Sequence, residues 1–197
     1  MPPPRKPRRG YHHGNLHEAL LDAAAALMAE RGPEGFTLLD AARACGVSAS
    51  APYKHFADRA ALLEVLAQRA GTRLNERLAA ARDNGQTGPV QVFLRLGQAY
   101  LAFAREEPGF YLALYRPGAR PPAPGASMLG DALADLGLGG GAAGEIAAQI
   151  WAISHGLASL ERTGQLPLPA EYLLGTGVGR LLRGFAAERE RAAVSAA

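Results

Sequence analysis

FTLLDAARACGVSASAPYKHFADRAALLEVL, residues 36–66, holds candidate helix caps, a glycine break and the start of a leucine stripe within one short segment. Thr37 can cap a helix through its hydroxyl, and Asp40 stands three residues on, where the positive end of the helix dipole favours an anion. Ala41, Ala42 and Ala44 keep one face of that helix thin enough for another helix to pack closely. Cys45-Gly46-Val47 then breaks the periodicity, with Gly46 free to adopt the left-handed conformation that ends helices. Ser48 offers a second cap and predicts a third, short helix running to about Phe56. Two short helices joined by a turn that contains glycine make a helix-turn-helix pattern. Asp58 caps a fourth helix, along which Leu62, Leu63, Leu66, Ala70, Leu74 and Leu78 form a stripe long enough to connect two domains.

The expected third helix carries the chemistry. Its first turn presents Ser48, Ala49 and Ser50, and its later residues Tyr53, Lys54 and His55 interleave hydroxyl, cationic and imidazole groups with aromatic surface. Such groups at a helix end suit phosphate oxygens and the edges of bases. Pro52 is out of keeping with a regular helix there. It has no N–H for the Ser48 carbonyl and it restricts Ala51.

Upstream, Asn15 and Glu18 have the spacing of a capping box ahead of Leu16, Leu20, Ala23, Leu27 and Met28, and Gly32-Pro33 ends that first helix. Before it, Pro2, Pro3, Pro4 and Pro7 block helix formation, so residues 1–14 read as a disordered arm. Arg5, Lys6, Arg8 and Arg9 all precede the first acidic residue, Glu18, so the net charge of +3 is concentrated at this end. The arm therefore points to a polyanion, with phosphate or minor-groove contact as its expected use.

Downstream, Phe93, Leu96, Tyr100 and Phe103 recur at helical spacing, Phe110 to Tyr115 add one or two turns, and Leu129 to Leu136 read as a short helix. Two last helices are expected at about 145–163 and 169–189. No stretch alternates with period two over a useful length, so the expected class is all-α. The expected organisation is an arm over 1–14, a helix-turn-helix DNA-binding domain over 15–60, a helical dimerisation and effector-binding domain over 61–190, and a tail over 191–197.

Other classes are disfavoured. The arm lacks the apolar segment of a secretory signal, which points to the cytoplasm. Residues 142–160 are apolar, but Glu145, Gln149, Ser154 and His155 interrupt them, so no membrane span is expected. Cys45 is the single cysteine, which excludes an internal disulfide and a multi-cysteine zinc site. His12, His13 and His17 lack a supporting carboxylate pair, so no metal is expected, and no cofactor motif is present. Ser154 and His155 diverge by about 100° as neighbours on a helix, and no nucleophile elbow exists, so the chain is not read as an enzyme.

Phe36-Thr37 leading through Leu38 to Gly46, then Val47-Ser48, Tyr53-Lys54-His55-Phe56 and Asp58-Arg59 with Leu62-Leu63, resembles the TetR family of transcriptional regulators. The resemblance spans residues 15–66. It implies that Thr37, Ser48, Tyr53 and Arg59 face DNA, with Tyr53 and Arg59 at phosphates; Arg59 stands where the family usually has lysine. The run Tyr11 to Leu16 and the markers Trp151, His155 and Gly156 resemble the subgroup with a tryptophan-histidine-glycine motif. The family likeness implies a homodimer built through the last two helices, binding a palindromic operator and acting as a ligand-responsive repressor.

Two apolar sides on the segment 145–163 agree with a need for two packing partners: Ile146, Ile150, Ile153, Leu157 and Leu160 on one, Ala147, Trp151, Ser154 and Ala158 on the other. Tyr100, Phe103, Phe110, Tyr111, Tyr115 and Trp151 supply enough aromatic surface to line a cavity for a small apolar or amphipathic effector, with His155 as its polar group. The alternative reading is a DNA-binding regulator without a small-molecule effector, acting through a protein partner.

Overall fold

The computed structural model describes residues 15–82, 89–119, 125–138 and 143–195, and every regular element among them is helical. Helix α1 (Leu16–Arg31) starts at Asn15, whose side chain accepts the Glu18 N–H at 3.3 Å. The Glu18 carboxylate pairs with Arg69 at 2.9 Å and with His17 at 3.1 Å instead of closing the expected box. Gly32, at φ +78°, ends the helix and returns its N–H to Met28.

Helix α2 (Leu38–Ala44) has the complete box: Asp40 N–H donates to Thr37 Oγ1 at 3.2 Å, and Thr37 N–H to Asp40 Oδ2 at 2.8 Å. It closes on Gly46 at φ +69°, whose N–H bonds Arg43 while Val47 bonds Ala42, the paired closure of a Schellman motif. The next element corrects an expectation. In place of a helix from Ser48 to Phe56 there is a turn followed by a single 3₁₀ turn, Pro52–Lys54. The cause is Pro52: the Ser48 carbonyl, denied an N–H four residues on, accepts one from Ala51 at 3.0 Å, and the chain continues with the tighter 3₁₀ spacing. Nor is Ser48 a side-chain cap, since its hydroxyl meets that of Ser50 at 3.3 Å.

Asp58 does cap α3 (Arg59–Arg82), accepting the Ala61 N–H at 2.8 Å. Then follow α4 (Pro89–Glu106), α5 (Pro108–Tyr115), α6 (Ala126–Asp135), α7 (Ala143–Arg162) and α8 (Ala170–Ser195), the last continuing into the residues expected as a tail. None of the described helices is long and apolar enough to cross a membrane.

One apolar cluster runs from Leu20 in α1 to Leu182 in α8, so the helix-turn-helix and the later helices share a core. Their tightest junction is α1 against α5. A Cβ added to Gly109 would lie 1.9 Å from the Ala25 carbonyl oxygen, so only glycine permits this approach. Beside it, Glu107 sits between Arg73 (2.5 Å) and Arg77 (2.7 Å) with its side chain 10% exposed, fixing the start of α5 to α3. Phe110 is buried with the Arg73 and Arg69 guanidinium groups 4.6 and 5.6 Å from its ring centre.

Candidate functional site

The first surface lies along α2 and the turn after it. Thr37, Ser48, Ala49, Ser50, Tyr53, Lys54 and His55 are all exposed, and Tyr53 leaves 61% of its surface open although it is large and aromatic. Local chain geometry holds this surface in place. Pro52 and Phe56 are buried on either side of the exposed triplet, and the His17 ring stacks on Phe56 with centroids 4.8 Å apart. A buried proline and phenylalanine thus anchor the segment whose other side chains face outward.

Arg59 is placed differently from the phosphate-facing role the family likeness implies. Its Nε donates to the Phe36 carbonyl at 2.9 Å, its Nη2 donates to the Pro33 carbonyl, and the guanidinium lies 4.9 Å from the Phe36 ring centre. With its side chain 27% exposed, Arg59 staples the turn before α2 to the start of α3. Arg59→Ala should therefore cost about 2 kcal/mol of stability in urea unfolding, since it strips charged donors from two carbonyls. Arg59→Lys, lacking the fork, should recover less than half of it.

Arg5, Lys6, Arg8 and Arg9 lie outside the described residues. Their charge still matters to the balance, because between Asn15 and Ala60 six carboxylates outnumber four Lys and Arg side chains. Some of those cations are also internally engaged, Arg43 with Asp40 and Arg59 with Glu34. Asp40, in turn, is held below the usual carboxylate range by the Thr37 hydroxyl and N–H.

The second site forms where α4, α5 and α7 meet. Tyr100, Tyr111, Tyr115, Trp151 and His155 converge there, with Trp151 stacked on His155 at 5.2 Å and 10°, and Tyr115 4.5 Å from the same imidazole. The Tyr100 and Tyr111 hydroxyls reach His155 Nδ1 at 2.9 and 3.2 Å. The Tyr115 hydroxyl is buried, with the Tyr100 hydroxyl and the Trp151 indole as its hydrogen-bonding neighbours. Burial pushes the Tyr111 phenol up to about 12, and raises those of Tyr100 and Tyr115 as well. Two residues expected in this group are elsewhere. Phe103 is fully buried beneath Arg77, and Phe110 belongs to the α1–α3–α5 junction.

Burial also lowers the His155 pKa. The folded protein then binds that proton less readily than the unfolded chain does, so stability is fully present above pH 6.5 and declines as pH falls through the lower folded value. Urea midpoints measured at pH 7.5 and pH 5 should show this loss, and His155→Gln should reduce it relative to wild type.

Next to the cluster is a cavity of about 30 Å³ lined by Leu78, Leu96, Tyr100, Ile150, Trp151 and Ser154, among others. Gly109 and Glu107, outside the residues expected at this site, fix α5 and with it Tyr111 and Tyr115. The run Glu107-Pro108-Gly109-Phe110 carries a detectable signal, a glycine placed within the first helical turn, where only close packing rewards it.

Comparison with known proteins agrees with this geometry. Residues 20–66 match the model described as bacterial regulatory proteins, tetR family. Residues 93–174 match the model described as tetracyclin repressor-like, C-terminal domain. No curated protein matches the chain. Among solved structures, a protein with unknown function from Rhodococcus sp. RHA1 is 29% identical, with a TM-score of 0.75 over 90% of this chain and 98% of that one. A TetR-like transcriptional regulator from Rhodococcus sp. RHA1 (23% identity, TM-score 0.67, 91% and 100% covered) shares the fold. So does a TetR-family transcriptional regulator from Streptomyces coelicolor (20%, 0.66, 86% and 99%).

Proposed function

This chain belongs to the TetR family of DNA-binding transcriptional regulators, and from that premise we propose that it is a ligand-responsive repressor that binds a palindromic operator as a homodimer. The observation that carries the DNA contact is the exposed run Ser48, Ala49, Ser50, Tyr53, Lys54 and His55, held outward by buried Pro52 and Phe56. Thr37 extends it. The acidic balance of residues 15–60 assigns much of the electrostatic attraction to Arg5, Lys6, Arg8 and Arg9 of the arm. Deleting residues 1–9 should weaken binding and make its salt dependence shallower, in a fluorescence-anisotropy titration repeated at several salt concentrations. Unchanged affinity and slope would exclude the arm.

Dimerisation is assigned to the outer faces of α7 and α8. Leu160 and Tyr172 are 41% and 59% exposed there. Gly156 sits mid-helix with nothing within 4 Å of where a Cβ would stand. A helix-interior glycine costs about 1 kcal/mol relative to alanine, and the chain's own packing gives no reason for it; close approach of a partner helix does. A homodimer places two recognition segments roughly 34–36 Å apart, in successive major grooves. The Trp151-His155-Gly156 signature joins this face to the aromatic cluster, in keeping with the subgroup reading.

We assign the effector to that cluster, formed by Tyr100, Tyr111, Tyr115, Trp151 and His155, from which a ligand would favour a spacing of the two heads unsuited to DNA. One observation favours the second reading, a regulator without a small-molecule effector: a 30 Å³ cavity is far below the ~300 Å³ at which ligand pockets begin. The effector reading therefore requires the cluster to open. Ser154, the neighbour of His155, donates its hydroxyl to the Ile150 carbonyl at 3.0 Å.

A further inference from the structure

We propose that Pro52 sets which sequence this regulator reads, by holding the DNA-facing side chains in a 3₁₀ rather than an α-helical register; this rests on the DNA contact proposed above. Exposed groups stand on both sides of the proline. Ser48, Ala49 and Ser50 precede it, with the two hydroxyls 3.3 Å apart, and Tyr53, Lys54 and His55 follow it. How the first set is turned relative to the second is therefore decided around residue 52. The chain is helical on either side of it. Ala51 has φ −63° and ψ −41°, and the Phe56 N–H reaches the Pro52 carbonyl at 2.9 Å, the four-residue bond of an α-helix. The other bonds of the segment span only three residues: Ala51 to Ser48 at 3.0 Å, Lys54 to Ala51 at 3.2 Å and His55 to Pro52 at 2.9 Å. What an α-helix would need from residue 52 is the N–H that proline lacks.

The difference is large on the scale of a base pair. A 3₁₀ helix turns about 120° and rises about 2.0 Å per residue, against about 100° and about 1.5 Å in an α-helix. Over the three residues Pro52–Lys54 the two geometries part by about 60° and about 1.5 Å. Successive base pairs lie about 3.4 Å apart, and hydrogen-bond lengths vary by only about 0.5 Å. A hydroxyl or ammonium displaced that far meets a different base edge or none. The buried side of the segment is pinned, since the 3₁₀ turn packs against α1 and α2 and both Pro52 and Phe56 are buried. A change of register is thus expressed by the exposed side chains.

Two substitutions restore the N–H with different side chains, Pro52→Ala and Pro52→Leu, the second keeping apolar volume at the buried position. Each full-length variant and the wild type select duplexes from a random-sequence pool, and fluorescence anisotropy then compares the wild-type winner with an unrelated duplex. Both variants should enrich the same half-site, different from that of the wild type. Their affinity for the wild-type winner should fall about tenfold or more beyond any fall on the unrelated duplex, the loss of at least one base contact. Variants that enrich the wild-type half-site and bind it within about threefold of the wild type would overturn the proposal while leaving the DNA contact in place. New half-sites that differ between the two variants would overturn it too, assigning the effect to side-chain packing. So would equal losses on both duplexes with a lower urea midpoint, which would make Pro52 an anchor of the fold. If one variant fails to fold, the other carries the comparison; if both fail, Pro52 is such an anchor and sets no register. A wild type that enriches no sequence would remove the DNA contact itself.

Discussion

The double change Tyr53→Ala, Lys54→Ala should lower affinity for a specific duplex by about 100-fold or more, the loss expected when two DNA contacts worth about 1–3 kcal/mol each are removed. It should do so without disturbing the fold. Both side chains are exposed, and the buried neighbours that hold the segment, Pro52 and Phe56, are untouched. Anisotropy with the specific duplex reads the affinity, while urea unfolding and sedimentation should report a stability and an association state equal to wild type. Retained specific affinity would mean that the chain reads DNA elsewhere.

The largest expected effect on stability comes from one glycine. Gly109→Val should destabilise the protein by about 3 kcal/mol, at the upper end of what inserted core volume costs. Its Cβ would otherwise lie 1.9 Å from the Ala25 carbonyl oxygen, and the obstacle is backbone, which cannot rotate aside. Gly130→Ala in α6 is the fitting comparison, because nothing lies within 4 Å of its Cβ position. There the added methyl should stabilise by roughly 0.5–1 kcal/mol through the unfolded chain. Urea midpoints of the two variants should therefore move in opposite directions. Because α5 carries Tyr111 and Tyr115 at one end and rests on α1 at the other, Gly109→Val should also alter DNA affinity beyond what stability alone explains.

Much of this architecture is legible in the order of the amino acids. Caps mark the starts of α2 and α3 because a Thr37, Asp40 or Asp58 side chain acts on backbone only three residues away, and such local chemistry is written in sequence. The 3.6-residue periodicity marks the later helices for the same reason. The segment after Ser48 shows where local chemistry is not enough. A disturbance from Pro52 follows from its missing N–H, yet its outcome depends on the Ser48 carbonyl finding Ala51 and on Phe56 being buried under His17, a contact across 39 positions of chain. Arg59 likewise reads as a charge but not as a staple, since its acceptors at Phe36 and Pro33 lie on another element. The aromatic group is half legible. Spacing picks out rings on one helix face, but only the packing of α4, α5 and α7 separates Tyr100, Tyr111 and Tyr115, gathered at His155, from Phe103 and Phe110, buried under arginines.

Selecting bound duplexes from a random-sequence pool and footprinting the protein on the winners tests whether this chain is a dimeric reader of operator DNA. A palindromic site is expected, protected in two half-sites whose centres lie about one helical turn or a small multiple of it apart, with no site enriched by the Tyr53→Ala, Lys54→Ala protein. Enrichment of no sequence at all, or of a single unrepeated half-site, would contradict it.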